Sequence, residues 1–177
     1  MRSRLRDAAE AVSLLDRDPF DSSMKEVLVD GLRRIGAHEG TVWLLDENRA
    51  NLVPRFNTGP RATEFVGKFR QSLRSGMISM VVATEQPICE SEVHKNTRQD
   101  RSLDRELRLQ TCAMLAVPFY FVGELRGVIT GVRLKPADSA AADPPGFSME
   151  DLLQLQRTAG LLSRLIEHRL LSTLVEG

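Results

Sequence analysis

The chain has 177 residues, 42% hydrophobic and 27% charged, the size and composition of one globular domain with a substantial core. Lysine plus arginine equals aspartate plus glutamate at 24 each, so the electrostatic footprint of a nucleic-acid binder is missing. No apolar run approaches the roughly 18 residues of a membrane span, the basic start is not followed by a signal-peptide core, and two cysteines make no disulfide framework. The expectation is a cytoplasmic, reduced protein with no nucleic-acid or membrane partner.

Leu5, Ala8, Ala9, Val12 and Leu15 share one face of a short helix over residues 2–16, which Asp18-Pro19 ends. Ser23 and Glu26 have the spacing of a capping box, and Met24, Val27, Leu28, Leu32 and Ile35 follow at helical intervals up to Gly36. The period then changes to that of strands. Thr41 to Leu45 and Leu52 to Phe56 read as a hairpin, with Pro54 placing the second strand at an edge. Residues 60–75 are mixed and charged. Gly76 opens a small apolar helix, Met77 to Thr84, and Pro87 to Cys89 is a short strand.

Residues 91–110 are polar, with Leu103 and Leu107 as anchors of a helix whose Asp104 and Arg108 have the favourable i,i+4 order. Cys112 to Gly131 is the most apolar stretch and reads as strand, turn at Gly123, strand. Alternation sends Cys112, Met114 and Ala116 to one face and Ala113, Leu115 and Val117 to the other. After a loop rich in proline, alanine and aspartate, Ser148 with Asp151 resembles a capping box, and Phe147 with Leu152 a hydrophobic staple. The helix that starts there runs to about Val175, roughly 40 Å. Leu152, Leu155, Ala159, Leu162, Ile166 and Leu170 form one stripe, with Leu161 and Leu165 to one side and Leu153 and Leu171 to the other. So much apolar circumference calls for two contact surfaces. Either its own domain buries the whole helix, or one face covers the sheet while another meets a second chain together with the first helix. The second reading is preferred, and it makes Leu5, Val12, Leu161 and Leu165 the expected dimer contacts.

With these residues in place the chain resembles a GAF domain. The carriers are Val42-Trp-Leu-Leu-Asp-Glu47, Gly76 with its helix, and Gln86-Pro-Ile88. They continue with Met114-Leu-Ala-Val-Pro118, Gly123-Glu-Leu-Arg-Gly-Val128 and Phe147-Ser-Met-Glu-Asp151. The resemblance spans about residues 22–170. It implies an α+β fold with a central antiparallel sheet of five or six strands. Terminal helices would cover one face, and the segment between the third and fourth strands would close a pocket on the other. Residues 1–20 are then an N-terminal helix at a dimer contact, 21–170 one GAF-like domain, and 171–177 the end of the long helix, leading to an output module or partner. It also implies a non-catalytic sensory or regulatory role in bacterial signalling proteins, through small-molecule binding, dimerisation, or both.

The chemistry is thin. One enzyme on this fold reduces free methionine sulfoxide with pocket cysteines, but the position after the glycine matching Gly76 holds Met77, and only Cys89 and Cys112 are present. Such a reaction needs an attacking thiolate and a resolving thiol within reach of each other. Cys89 and His94, with Glu92 between them, suggest a metal. Zinc needs three or four, and His38 and His168 lie in other segments, so no metal and no cofactor is expected. The bilin and cyclic-nucleotide signatures of relatives are absent. What remains is a pocket of soft side chains: Met77, Met80, Cys89, Cys112 and Met114, with Arg55 and Glu90 as polar anchors for an unidentified small ligand.

Overall fold

A computed structural model describes residues 20–176, and the side chains up to residue 172. The helix predicted over residues 2–16, with Leu5 and Val12, lies outside the described residues. In chain order the elements are α1 (Ser22–Arg34), β1 (Glu39–Leu45), β2 (Asn51–Asn57), α2 (Ala62–Phe65), β3 (Gln71–Ser72) and α3 (Met77–Thr84). They continue with β4 (Ile88–Glu90), a 3-10 turn (Val93–Lys95), α4 (Ser102–Leu107), β5 (Leu109–Phe121), β6 (Glu124–Pro136) and α5 (Met149–Glu176). The strands form one antiparallel sheet in the order β3-β2-β1-β6-β5-β4. No described helix is long and apolar enough to cross a membrane.

Two apolar layers sit on the two faces of this sheet. On one, Leu115, Val117, Phe119 and Ile129 meet Met24, Leu28 and Leu32 of α1 and the stripe of α5. All six predicted stripe residues, from Leu152 to Leu170, are buried there. On the other, Trp43, Leu52, Ala116 and Val128 pack against Ile78 and Val81 of α3. The alternation of Met114 and Ala116 against Ala113, Leu115 and Val117 is therefore realised.

The cap of α5 follows its sequence signature. Ser148 N–H donates to Asp151 at 2.8 Å and Asp151 N–H to the Ser148 hydroxyl at 3.1 Å. The cap of α1 does not. Its first turn is held by Asp21, whose carboxylate accepts from Met24 N at 3.0 Å, and Ser23 is already inside the helix. A carboxylate one residue upstream of a serine pair captures the open N–H groups first. The β5–β6 turn is made by Val122 and Gly123, both with positive φ (53° and 72°), the two-residue geometry whose twist suits a hairpin.

The two strand prolines differ from expectation in instructive ways. β2 is not the outermost strand, because β3 pairs with Asn51 and Leu52; Pro54 nevertheless faces no strand on that side. Pro118 does not end regular pairing, since β5 runs through it opposite Val128, beyond the last residue that β4 covers. In both places a missing N–H costs the ladder nothing. The Asp104–Arg108 pair is not made: Arg108 ends α4 in the left-handed region (φ 52°), and Asp104 turns to β5 instead.

Candidate functional site

The space between the sheet and the α3–α4 side holds a cavity of about 100 Å³. Strand alternation builds its floor. Glu39, Thr41 and Trp43 of β1 face it, opposite Val132, Thr130 and Val128 of β6. Trp43 Nε1 donates to Thr130 Oγ1 at 3.1 Å, fixing the indole as an apolar wall. Asn57, from the end of β2, donates to Thr41 Oγ1 at 2.9 Å and accepts from Gly59 N at 2.7 Å. Met77 and Ile78 of α3, Leu103 and Leu107 of α4, and Phe65 of α2 close the roof.

Polar groups hold the rim. Asp104 accepts from Thr111 N and Thr111 Oγ1, both at 2.8 Å, and from Gln99 Nε2 at 3.0 Å. That fixes the Gln99 amide, whose buried Oε1 has no hydrogen-bond partner among the described residues. Asp100 accepts from Gln71 and Ser75, and its bonds, led by the Ser102 hydroxyl, hold its carboxyl below the usual range. Gly76 has φ +91°, and a Cβ there would stand 2.9 Å from Gln71 Nε2. The glycine thus supplies both the helix start and the space for Gln71. Burial pushes the Glu39 carboxyl up, against a hydrogen bond from Asn57. Among the described lining residues Glu39, Asp100 and Asp104 are acidic and none is basic. Gly76, Gln99 and Asp100 also border an outer groove of about 830 Å³, where Arg74, Arg98, Arg101 and Arg105 gather.

Of the predicted ligand contacts, Met77 and Met114 line the cavity. Met80 lines the outer groove, 3.9 Å from Arg98. Arg55 is the extra residue of a bulge in β2 and turns to a different groove, with Asp46, Arg70 and Arg126. Glu90 is tied to the residues flanking the 3-10 turn, accepting from Glu92 N and Asn96 Nδ2 at 3.0 Å each, and these bonds lower its pKa. Cys89 lies on the α5 side of the sheet, with Sγ 3.6 Å from the Phe147 carbonyl. Cys112 is also a bulged residue, and its thiol meets the Gln110 carbonyl at 3.6 Å and Asp143 at 3.9 Å. Both thiols are free, and burial raises both pKa values. Neither lines the cavity.

A six-stranded antiparallel sheet with terminal helices on one face and a roofed cavity on the other is the arrangement expected above. The sequence model described as GAF domain matches residues 22–167. The chain belongs to the GAF family. Among solved structures, it is similar to the GAF domain of a phosphoenolpyruvate-protein phosphotransferase from Coxiella burnetii, with 20% identity and a TM-score of 0.69. That match covers 93% of this chain and 92% of the other. The GAF-B domain of DevS from Mycobacterium smegmatis has 16% identity and a TM-score of 0.60, covering 85% and 94%. Free methionine-R-sulfoxide reductase from Neisseria meningitidis, solved with its substrate, has 15% identity and a TM-score of 0.55, covering 91% and 87%. Identities this low show a shared GAF fold and nothing finer. Among curated proteins no sequence match is found.

The cavity residues that the sequence does not single out are the polar ones: Glu39, Thr41, Asn57, Gln71, Gln99, Asp104 and Thr111. Thr41 carried a signal, because it precedes Trp43 at period two in the predicted strand; Glu39 joins the same face only because β1 begins two residues earlier than predicted. Gln99 and Asp104 carried none, since only the path of the chain over the sheet brings them there.

Proposed function

We propose that this GAF domain is a non-catalytic sensory or regulatory module that takes the positively charged, donor-rich head of a small molecule into the cavity between the sheet and α3–α4. The lining carries the reading. Three carboxylates and the unpartnered Gln99 oxygen offer acceptors to a donor-rich head, no described lining residue is basic, and Trp43 and Phe65 are aromatic members of the lining. The volume of about 100 Å³ holds a head of a few heavy atoms. The arginines of the adjoining groove supply the opposite charge for an anionic end outside. Binding would bias the terminal helices, which pack on the far side of the same strands.

Thermal unfolding with methylammonium, ethanolamine and simple amino acids, against acetate and phosphate, tests this. Amines and zwitterions should raise Tm, anions alone should not, and Glu39→Gln should abolish the shift. Because the carboxyl of Glu39 is pushed up, the shift should weaken as pH falls through that raised value. Equal stabilisation by acetate, or by none of the panel, overturns the reading.

A second reading is a dimerisation module that uses no ligand. It is favoured by Leu153, Leu161 and Leu171, which are 51%, 46% and 63% exposed on the flanks of α5. Catalysis of the reductase kind finds less support, because neither thiol reaches the cavity wall.

A further inference from the structure

His94, Cys112 and Asp143 belong to the 3-10 turn, to β5 and to the loop after β6, yet one ligand atom from each lies within 4.8 Å of the others. A bulge brings them together. Cys112 is the extra residue between Thr111 and Ala113, so its side chain leaves the alternation that sends Thr111 to the cavity and Ala113 to the α5 side. Its Sγ stands 3.9 Å from Asp143 Oδ1, and His94 Nε2 stands 3.1 Å from Asp143 Oδ2. The geometry points to a site for a thiophilic divalent metal ion of the zinc kind, held by His94, Cys112 and Asp143 with a fourth position for water.

The spacing fits such an ion. Tetrahedral zinc, with bonds of about 2.3 Å to sulfur and about 2.0 Å to nitrogen and oxygen, separates S from O by about 3.5 Å and N from O by about 3.3 Å. The two separations to the Asp143 carboxylate, 3.9 and 3.1 Å, lie within a few tenths of an ångström of these values, and closing the sulfur–nitrogen separation, which is at most 4.8 Å, takes a movement of the partly exposed His94 ring. Charge fits as well. A dication with one thiolate and one carboxylate is neutral, so the fully buried Cys112 carries no uncompensated charge. The thiol proton leaves to solvent as the metal–sulfur bond forms. His94 and Asp143 are 21% and 39% exposed, which gives the ion a path in from solvent. Nε2 of His94 is the nitrogen directed at the cluster, 3.1 Å from Asp143.

Lys135 competes for the same carboxylate. Its Nζ is 2.7 Å from Asp143 Oδ1 and 3.1 Å from the Ala141 carbonyl. In the metal-free chain this ammonium is the counter-ion of Asp143. When the ion binds, the ammonium gives up Asp143, so Lys135 sets the affinity. None of His94, Cys112 and Asp143 lines the cavity, and the metal site stands independently of the ligand reading.

Titrating the purified, chelator-stripped chain with Co²⁺ is the test. The expected result is one ion per chain with a near-ultraviolet thiolate-to-cobalt charge-transfer band, retained in Cys89→Ser and lost in Cys112→Ser. His94→Ala and Asp143→Asn, both at partly exposed positions, keep the readout available if Cys112→Ser does not fold. Each should weaken binding by about tenfold or more, and Lys135→Met should strengthen it. No charge-transfer band in the parent chain overturns the site, as does a band that depends on Cys89 or is indifferent to His94 and Asp143.

Discussion

Tyr120 donates its phenolic hydrogen to Oε2 of Glu85 at 2.6 Å, tying β5 to the left-handed residue that ends α3. The hydrogen bond to the carboxylate holds the proton, and burial and the charge of Glu85 add to it, so the phenol is pushed up to about 12. Tyr120 is the chain's single tyrosine, so tyrosinate absorbance reads this group alone. We expect a native midpoint near 12, moved back toward about 10 by Glu85→Gln. The folded value lies above the unfolded one. The bond's contribution to stability is therefore complete below about pH 10 and is lost as pH rises toward about 12. A native midpoint near the ordinary value would refute the coupling.

Gly127 pairs with Leu44 where β6 crosses β1, and a Cβ there would lie 1.8 Å from the Trp43 carbonyl oxygen. A backbone atom in a central ladder cannot yield without parting the strands. Gly127→Ala should cost about 3 kcal/mol or more in urea unfolding. Gly160→Ala is the control, since nothing lies within 4 Å of a Cβ at that position in α5. It should stabilise by about 0.5–1 kcal/mol. Similar effects from the two substitutions would show that the close approach is not made.

Asp104 binds β5 to α4 at the cavity rim through Thr111 and Gln99. Asp104→Ala leaves the amide of the buried Thr111 without its acceptor, and we expect a loss of about 2–3 kcal/mol. Asp104→Asn keeps one acceptor oxygen and should cost less. Hydrogen exchange at Thr111 reports the same bond directly: the amide should lose protection in the alanine variant, and unchanged protection would count against it.

Leu153→Glu with Leu161→Glu alters two exposed positions of α5 and leaves the buried stripe intact. If α5 carries a dimer contact, sedimentation should give the parent mass of two chains and the variant mass of one. A parent chain that sediments as a monomer would remove the dimerisation reading. Leu165 is a poorer probe than its spacing implied, because it packs partly against the domain's own core.

The fold was legible where period and punctuation agreed. The stripe of α5, its capping box and the hairpin around Gly123 depend on neighbours in sequence, and each is found as read. The site was less legible because two bulges break the alternation on which the reading relied. Arg55 and Cys112 are both extra residues in their strands, and each turns away from the face that period two assigns it. Nothing in the residues around Cys112 announces a bulge. Sequence proximity puts His94 beside Cys89, while the fold sets it beside Cys112 and Asp143. Gathering residues from distant segments is the work of topology, and a single sequence does not display it.

The sheet ends in strands of two and three residues, and beyond them Pro54 and Pro118 stand where no neighbouring strand pairs. Such borders offer little backbone for a foreign strand to zip onto, a safeguard against fibre-like stacking. Self-association by extending the ladder is thereby discouraged. Assembly is left to side chains on the helical layer, where a few substitutions can create, abolish or redirect a partner without disturbing the framework beneath.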